Sequence, residues 1–323
     1  MSRPPAAPGA VPAARGDVAA GVSRPAALVL LVLVSVVWGA HWSVVKVGLR
    51  TMPPLTYATL RVGSGLVVVL VLLAVQGRLR PPPRADLPVV ASVGLVQIAL
   101  GIVVMNLGLT VVTAGRASVL VYSMPIWVAL LLLVRGRGRP RTAELVGLVV
   151  GSVGLGLLGA PALARAGAGE ALGVAVLLLG AVTWAWATIH VREHRWTAST
   201  WELQPWQLLV GLVPLSVVAL VVEQGRGIAW DTTTVLVLLY SGPLATAFGF
   251  WAILTVTRVL GPLAAGVGFL AVPVVGLITG WLVLGERLGA IDAAASALVL
   301  VGIAATSLGE DAVPSDAAGA THP

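Results

Sequence analysis

The sequence predicts an all-α membrane protein, with ten transmembrane helices arranged as two inverted five-helix repeats. Three observations carry that expectation. First, 58% of the 323 residues are hydrophobic and only 10% are charged, with a mean hydropathy of +0.99; a soluble domain carries about 25% charged residues. Second, apolar segments of near-spanning length recur along the whole chain. Third, the second half of the sequence repeats landmarks of the first.

A membrane helix needs about 20 predominantly apolar residues. Ten segments come near that length, at about 27–47, 55–76, 87–110, 114–134, 143–163, 171–192, 203–222, 234–257, 262–284 and 290–308. Barrel strands would be about ten residues long and alternating, whereas these segments are longer and continuously apolar. The tightest breaks fall at 111–113 and 258–261. The expected organisation is a cytoplasmic tail over 1–26, a first repeat over 27–163, a second over 171–308 and a short cytoplasmic tail over 309–323. The N-terminal tail is rich in Ala, Pro and Gly, lacks apolar periodicity and is expected to be disordered. It is not read as a cleaved signal peptide, because its apolar run reaches about 20 residues and nine more follow.

Charge sets the orientation. The net charge is +7, and Lys46 is the only lysine. The arginines sit between apolar runs, so they are read as topology signals rather than as a nucleic-acid surface. With the N-terminus inside, the inside segments hold thirteen: Arg3, Arg15, Arg24, Arg78, Arg80, Arg84, Arg135, Arg137, Arg139, Arg141, Arg192, Arg195 and Arg258. The outside loops hold five: Arg50, Arg116, Arg165, Arg226 and Arg287. Both termini are therefore expected in the cytoplasm. The composition, rich in Ala, Val, Gly and Arg, fits a GC-rich bacterium, which makes the inner membrane the expected location. The absence of cysteine excludes disulfides, thiol nucleophiles and thiolate metal sites.

A shift of 148 residues aligns Gly101 with Gly249, Ala117 with Ala265, Pro125 with Pro273 and Val153-Gly154 with Val301-Gly302. Near the front, a shift of 146 aligns Trp38 with Trp184 and Lys46 with Arg192. An odd number of helices per repeat places the halves in opposite orientations. That is the plan of many secondary transporters, which bind substrate between the halves near mid-membrane.

The order of landmarks is Trp38-Gly39, Lys46, Pro53-Pro54, Leu60-Arg61, Pro125, Trp206-Gln207 with Gly211, Pro273, LGER at 284–287 and Gly302. In that order and duplication the sequence resembles the drug/metabolite transporter superfamily, EamA-like branch, over about 28–307. Two features depart from the family pattern. RGRG at 135–138 replaces a second Glu-Arg pair, and His41 stands where small polar residues are common. The resemblance implies a ten-helix transporter of small metabolites, often an exporter.

Candidate site residues follow from helical geometry. Trp38, Trp42 and Lys46 lie at i, i+4 and i+8 and share a face, with His41 pointing roughly the opposite way. Lys46 either snorkels to the outer headgroups or places a cation at the outer mouth of a central cavity. Arg61 lies about seven residues into the second helix, roughly 10 Å deep at 1.5 Å per residue. It is either a partner for helix-end carbonyls or Glu286, or the group that attracts a substrate carboxylate or phosphate. Lys46 and Arg61 together are expected to make one outer vestibule electropositive. His41 is read as a packing residue or a proton-coupling group.

Asn106, Tyr122, Gln207 and Tyr240 are polar groups within spans, read as cavity lining or as partners of backbone and neighbouring helices. Trp184 lies too deep for an interfacial belt and is read as packing or cavity wall. Pro125 and Pro273 are expected mid-helix, where proline frees a carbonyl and kinks the chain beside a site. His190 and His194 are read as interface anchors without the third ligand that a metal site needs. Gly147 and Gly151 form a small-xxx-small packing pair.

No span carries a central Asp or Glu, and no Walker motif occurs. The expected function is secondary transport, with export implied by the resemblance, of a small polar or amphipathic metabolite, amino-acid-like or an organic anion, by alternating access. Multidrug efflux is the alternative, ahead of a membrane-embedded enzyme or a sensor. The expected partners are a small-molecule substrate and the lipid bilayer, with no nucleic acid and no cofactor; oligomeric state is left open.

Overall fold

The computed structural model describes residues 22–136, 142–165, 168–194, 196–260, 269 and 271–310. Residues 1–21 and 311–323 of the predicted tails, 137–141 of the basic run and 261–268, which include the start of the predicted ninth span, lie outside the described residues. Within them, every element is helical.

Helix α1 (Arg24–Gly48) starts three residues before the predicted boundary. Ser23 accepts a hydrogen bond from the Ala26 N–H, and Pro25 occupies the first turn. Both are helix-starting chemistry. Helix α2 (Pro54–Val75) likewise opens on a proline. Helix α3 (Arg84–Leu109) is composite: a short 3-10 turn, an α segment, a π-helical stretch at Val93–Leu100 and a final α segment at Gly101–Leu109. Helix α4 (Ala114–Val134) breaks at Ser123 into Ala114–Tyr122 and Met124–Val134. Helices α5 (Thr142–Arg165), α6 (Ala168–Glu193) and α7 (Thr200–Val222) follow. Helix α8 runs through Thr232–Leu239, a π-helical stretch at Tyr240–Phe248, and Gly249–Leu260; α9 is Ala271–Leu284 and α10 is Ala290–Glu310.

Seven of these, α1 to α4 and α6 to α8, are long and apolar enough to cross a membrane. The apolar stretches of the other three are shorter within the described residues: Leu145–Leu157 in α5, Ala271–Leu284 in α9 and Ala290–Ala305 in α10.

The prolines differ from the mid-helix expectation. Pro125 is the second residue after the break in α4, and Pro273 is the third described residue of α9. In a first turn the missing N–H breaks no intrahelical bond. Helices α2, α4, α7 and α9 stop at glycines with positive φ, namely Gly77 (63°), Gly136 (65°), Gly225 (75°) and Gly285 (68°). Such a residue turns the chain out of the helix and lets the last carbonyls find partners.

Helix α1 packs on α8 and α9, α2 on α7 and α8, α3 on α6 and α7, and α4 on α6 and α9; the most extensive pairing is α5 with α10. In that pairing a Cβ on Gly302 would overlap the Gly151 backbone and press on the Gly147 carbonyl. Small residues let the two backbones meet, which is how helices associate where lipid supplies no hydrophobic drive. The outer faces are apolar and exposed, with Val67, Val71, Val213, Val217 and Trp281 among them. The alternating helices leave two ends, one holding the α1–α2, α3–α4, α7–α8 and α9–α10 connections, the other the α2–α3 and α6–α7 connections.

Candidate functional site

A polar and aromatic cluster forms where α1, α2, α4 and α8 converge. From α8, the π-helical stretch supplies Tyr240, Ser241 and Thr246. A π turn inserts one extra residue, so side chains and carbonyls point where an α-helix would not send them. Tyr57 of α2 is fully buried; its hydroxyl shares a 2.6 Å hydrogen bond with Ser241 and lies 3.5 Å from His41 Nε2. The His41 ring lies parallel to Tyr240 at 6.2 Å between centroids, and the Tyr240 hydroxyl donates to the Val37 carbonyl at 2.8 Å. His41 is buried within this network.

Arg61 lies one turn beyond Tyr57 on α2. Its Nε donates to Thr246 Oγ1 at 3.3 Å, and Thr246 in turn donates to the Ser241 carbonyl at 2.7 Å. The two terminal guanidinium nitrogens make no hydrogen bond among the described residues, yet they are not sealed off from open space. Nor does any described carboxylate pair with Arg61. Tyr122 meets Trp42 edge-on at 6.4 Å. Trp38 closes the α1 side: its indole N–H donates to the Ala245 carbonyl at 2.9 Å, and its ring stacks with Phe269 at 5.8 Å. The arrangement sets one guanidinium among aromatic rings and hydroxyl groups.

Six candidates therefore come together: Trp38, His41, Trp42, Arg61, Tyr122 and Tyr240. The others serve elsewhere. Lys46 does not reach into a vestibule with Arg61. Its ammonium donates to the Leu109 and Val112 carbonyls at 2.5 and 2.6 Å, clamping the C-terminal end of α3. Helix ends leave carbonyls without intrahelical partners and carry partial negative charge, so a lysine within reach is drawn to them. Asn106 donates to the Pro54 carbonyl at 3.1 Å, between α3 and α2. Gln207 is buried where α7 crosses α3, its own carbonyl against Gly94. Trp184 of α6 packs on Gly101 of α3. Pro273 offers its carbonyl to the Ser118 hydroxyl at 3.4 Å, and Pro125 follows the α4 break.

Carboxylates hold the ends: Glu286 as the helix-end residue its position suggested, and Glu223 and Asp86, which the sequence did not single out. Glu286 accepts from the Ala114 and Gly115 N–H groups at the start of α4, at 2.6 and 3.0 Å, and is not a partner of Arg61. Glu223 accepts from the Leu55 and Thr56 N–H groups at the start of α2, at 3.0 and 2.7 Å. At the opposite end, fully buried Asp86 accepts from His194 at 2.9 Å, from the Thr197 hydroxyl at 2.6 Å and from the Ala198 N–H at 2.8 Å. His190 meets Ser92 at 2.6 Å. Tyr57, Ser241 and Thr246 were also missed. Their signal was weak, since a hydroxyl in an apolar segment reads first as local backbone bonding.

Comparison with known proteins places this architecture. A solved crystal structure superposes with a TM-score of 0.60 at 21% identity, covering 88% of this chain and 98% of that one. The likeness is one of fold. The uncharacterized transporter YoaV of Bacillus subtilis is 27% identical over 221 residues, 68% of this chain and 75% of the relative. A probable amino-acid metabolite efflux pump of Escherichia coli is 28% identical over 236 residues, 70% of this chain and 77% of the relative. The family model of EamA-like transporters matches twice, at residues 25–160 and 171–308. With nearly all of the chain matched and its helices apolar enough to cross a bilayer, this multi-pass membrane protein belongs to the EamA-like transporter family.

Proposed function

We propose that the chain is a secondary transporter of the bacterial inner membrane that exports a small polar or amphipathic metabolite by alternating access. In this reading two inverted five-helix halves span the bilayer with both termini in the cytoplasm. The substrate binds at the cluster around Arg61. Efflux is also what the Escherichia coli relative is named for.

One observation carries the reading: contacts between the halves exchange under the sequence shift. Gly154 seats on Ala295 and Val299, while Gly302 seats on Gly147 and Gly151; a shift of 148 turns one set into the other. Gly101 receives Trp184, and Gly249 receives Trp38. Gly94 touches the Gln207 carbonyl, and Gly242 touches the Arg61 carbonyl. The π-helical stretches of α3 and α8 stand at matching places. Reciprocal contacts are the mark of a twofold relation. In this reading five helices per half, alternating in direction, put that axis in the membrane plane, a plan shared by many secondary transporters. The π-helical stretch of α8 supplies Tyr240, Ser241 and Thr246 to the cluster, while that of α3 packs on α7.

The test is reconstitution in proteoliposomes with counterflow of labelled metabolites. Saturable exchange that depends on the protein supports the reading; its absence across amino acids and organic acids counts against it. A C-terminal reporter on the extracytoplasmic side would remove the ten-span topology. A second reading, multidrug efflux, draws on the aromatic surround of Trp38, Trp42, Phe250 and Tyr122. Protein-dependent extrusion of a cationic dye, with no exchange of metabolites, would favour it.

A further inference from the structure

We infer that the Arg61 cluster selects a monoanionic carboxylate with an aromatic or apolar body, over a zwitterionic amino acid or an amine. The inference rests on the reading of that cluster as the transport site. Five observations carry it. Arg61 has no carboxylate partner among the described residues, so the site holds an uncompensated positive charge within the membrane span. Its Nε is already committed to Thr246, which fixes the plane of the guanidinium and leaves the two terminal nitrogens side by side. That fork matches the two oxygens of one carboxylate.

Lys46, the other cation in reach from the sequence, is held by the carbonyls of Leu109 and Val112. One guanidinium therefore answers one negative charge, and a dianionic phosphate would bring a second charge without a partner. Two carboxylates at this end of the fold, Glu223 and Glu286, are directed at the N–H groups that begin α2 and α4. Neither is paired with Arg61. An amino acid would thus gain a carboxylate contact but set its ammonium among hydroxyls and rings, beside a cation. Trp42 and Tyr122, packed edge-on, and the His41–Tyr240 pair supply apolar and aromatic surface for the body of the ligand.

Three compounds of one shape separate the charge requirement: 3-phenylpropionate, phenylalanine and phenethylamine. Each is added to the full chain in detergent while thermal unfolding is followed. The acid is expected to raise the melting temperature, phenylalanine to do so less, and phenethylamine not at all. Arg61→Gln is expected to weaken the acid's binding by roughly tenfold or more, and Arg61→Lys to restore part of it. If Arg61→Gln does not fold, Thr246→Val is read instead; loosening the guanidinium should weaken the acid's binding in the same direction. Equal or stronger stabilisation by phenylalanine or phenethylamine, no response to any of the three, or an unchanged response in the variants overturns the inference. Counterflow in proteoliposomes separates this from the transport reading. Acid binding without exchange leaves the site standing and removes transport. Exchange of phenylalanine with no acid binding does the reverse.

Discussion

Removing the Asp86 carboxylate is expected to be the most damaging single change at the end of the molecule that carries the α6–α7 connection. Asp86 is fully buried. Its two oxygens take the His194 ring N–H, the Thr197 backbone N–H and hydroxyl, and the Ala198 N–H. Asp86→Ala leaves two backbone donors and an imidazole facing an empty acceptor position. Breaking such a buried charged network costs about 3–5 kcal/mol. For a chain of this size that corresponds to a melting temperature lower by roughly 5–10 °C, since ~1 kcal/mol shifts larger proteins by ~2 °C. Asp86→Asn should fall between the two, because one carbonyl oxygen survives while the new NH₂ meets donors. His194→Ala alone leaves the other donors in place and should cost about 1–2 kcal/mol. The double variant should be less damaging than the sum of the singles by about 1 kcal/mol or more. Tryptophan fluorescence in detergent, with 11 tryptophans as reporters, follows the transition. A melting temperature for Asp86→Ala within about 1 °C of the parent, a shift of at most ~0.5 kcal/mol on the same scale, would refute the reasoning.

Glu223→Gln should lower stability by about 1–2 kcal/mol, because the charged acceptor at the start of α2 becomes a neutral one; a melting curve unchanged from the parent would show that the cap is dispensable. Gly302→Leu should separate α5 from α10, with an overpacking cost of about 1–3 kcal/mol or more, seen as reduced melting temperature and easier proteolysis. Gly154→Leu, seated on Ala295 and Val299, should behave alike, and a large difference between the two would speak against reciprocal packing.

The segments were legible in the sequence because lipid leaves the backbone few choices: a long apolar run must satisfy its own hydrogen bonds. Nine helix starts came within three residues for the same reason, although Ser23 and Pro25 set the beginning of α1 earlier than hydropathy alone; the ninth span's expected start at 262 lies outside the described residues. The π-helical stretches in α3 and α8 were not legible, since they change backbone register without changing composition. Arg61 was found because a charge deep in an apolar run is conspicuous. Lys46 was equally conspicuous, but its partners are backbone carbonyls of a distant helix, and no side chain marks a carbonyl. Glu223 was passed over for the mirror reason: its partners are the N–H groups of Leu55 and Thr56, which no pattern of residue types encodes. Gly147 and Gly151 were legible as packing residues, because small residues have few other uses on a membrane helix face; that Gly302 is what meets them was not.

Under the proposed inverted repeat, backbone contacts recur while the chemistry does not. Gly65 and Gly211 occupy matching crossings, against Gly242 and Gly94 respectively, and each tolerates no side chain. One turn before them stand Arg61 and Gln207, a cation and a neutral amide. At the connections the same inequality holds. Thr51 meets Thr234 at 2.9 Å through hydroxyls, while the residues a matching shift away, Thr197 and Asp86, meet through a buried carboxylate. Packing glycines cannot change in one half alone without prising helices apart, so both halves keep them. Side chains that face the interior bear no such constraint. Two halves related by symmetry supply two equivalent ways to pack. A site that distinguishes one end of a substrate from the other must be unsymmetrical, and in the proposed site Arg61, with no cationic counterpart at Gln207, would supply that polarity.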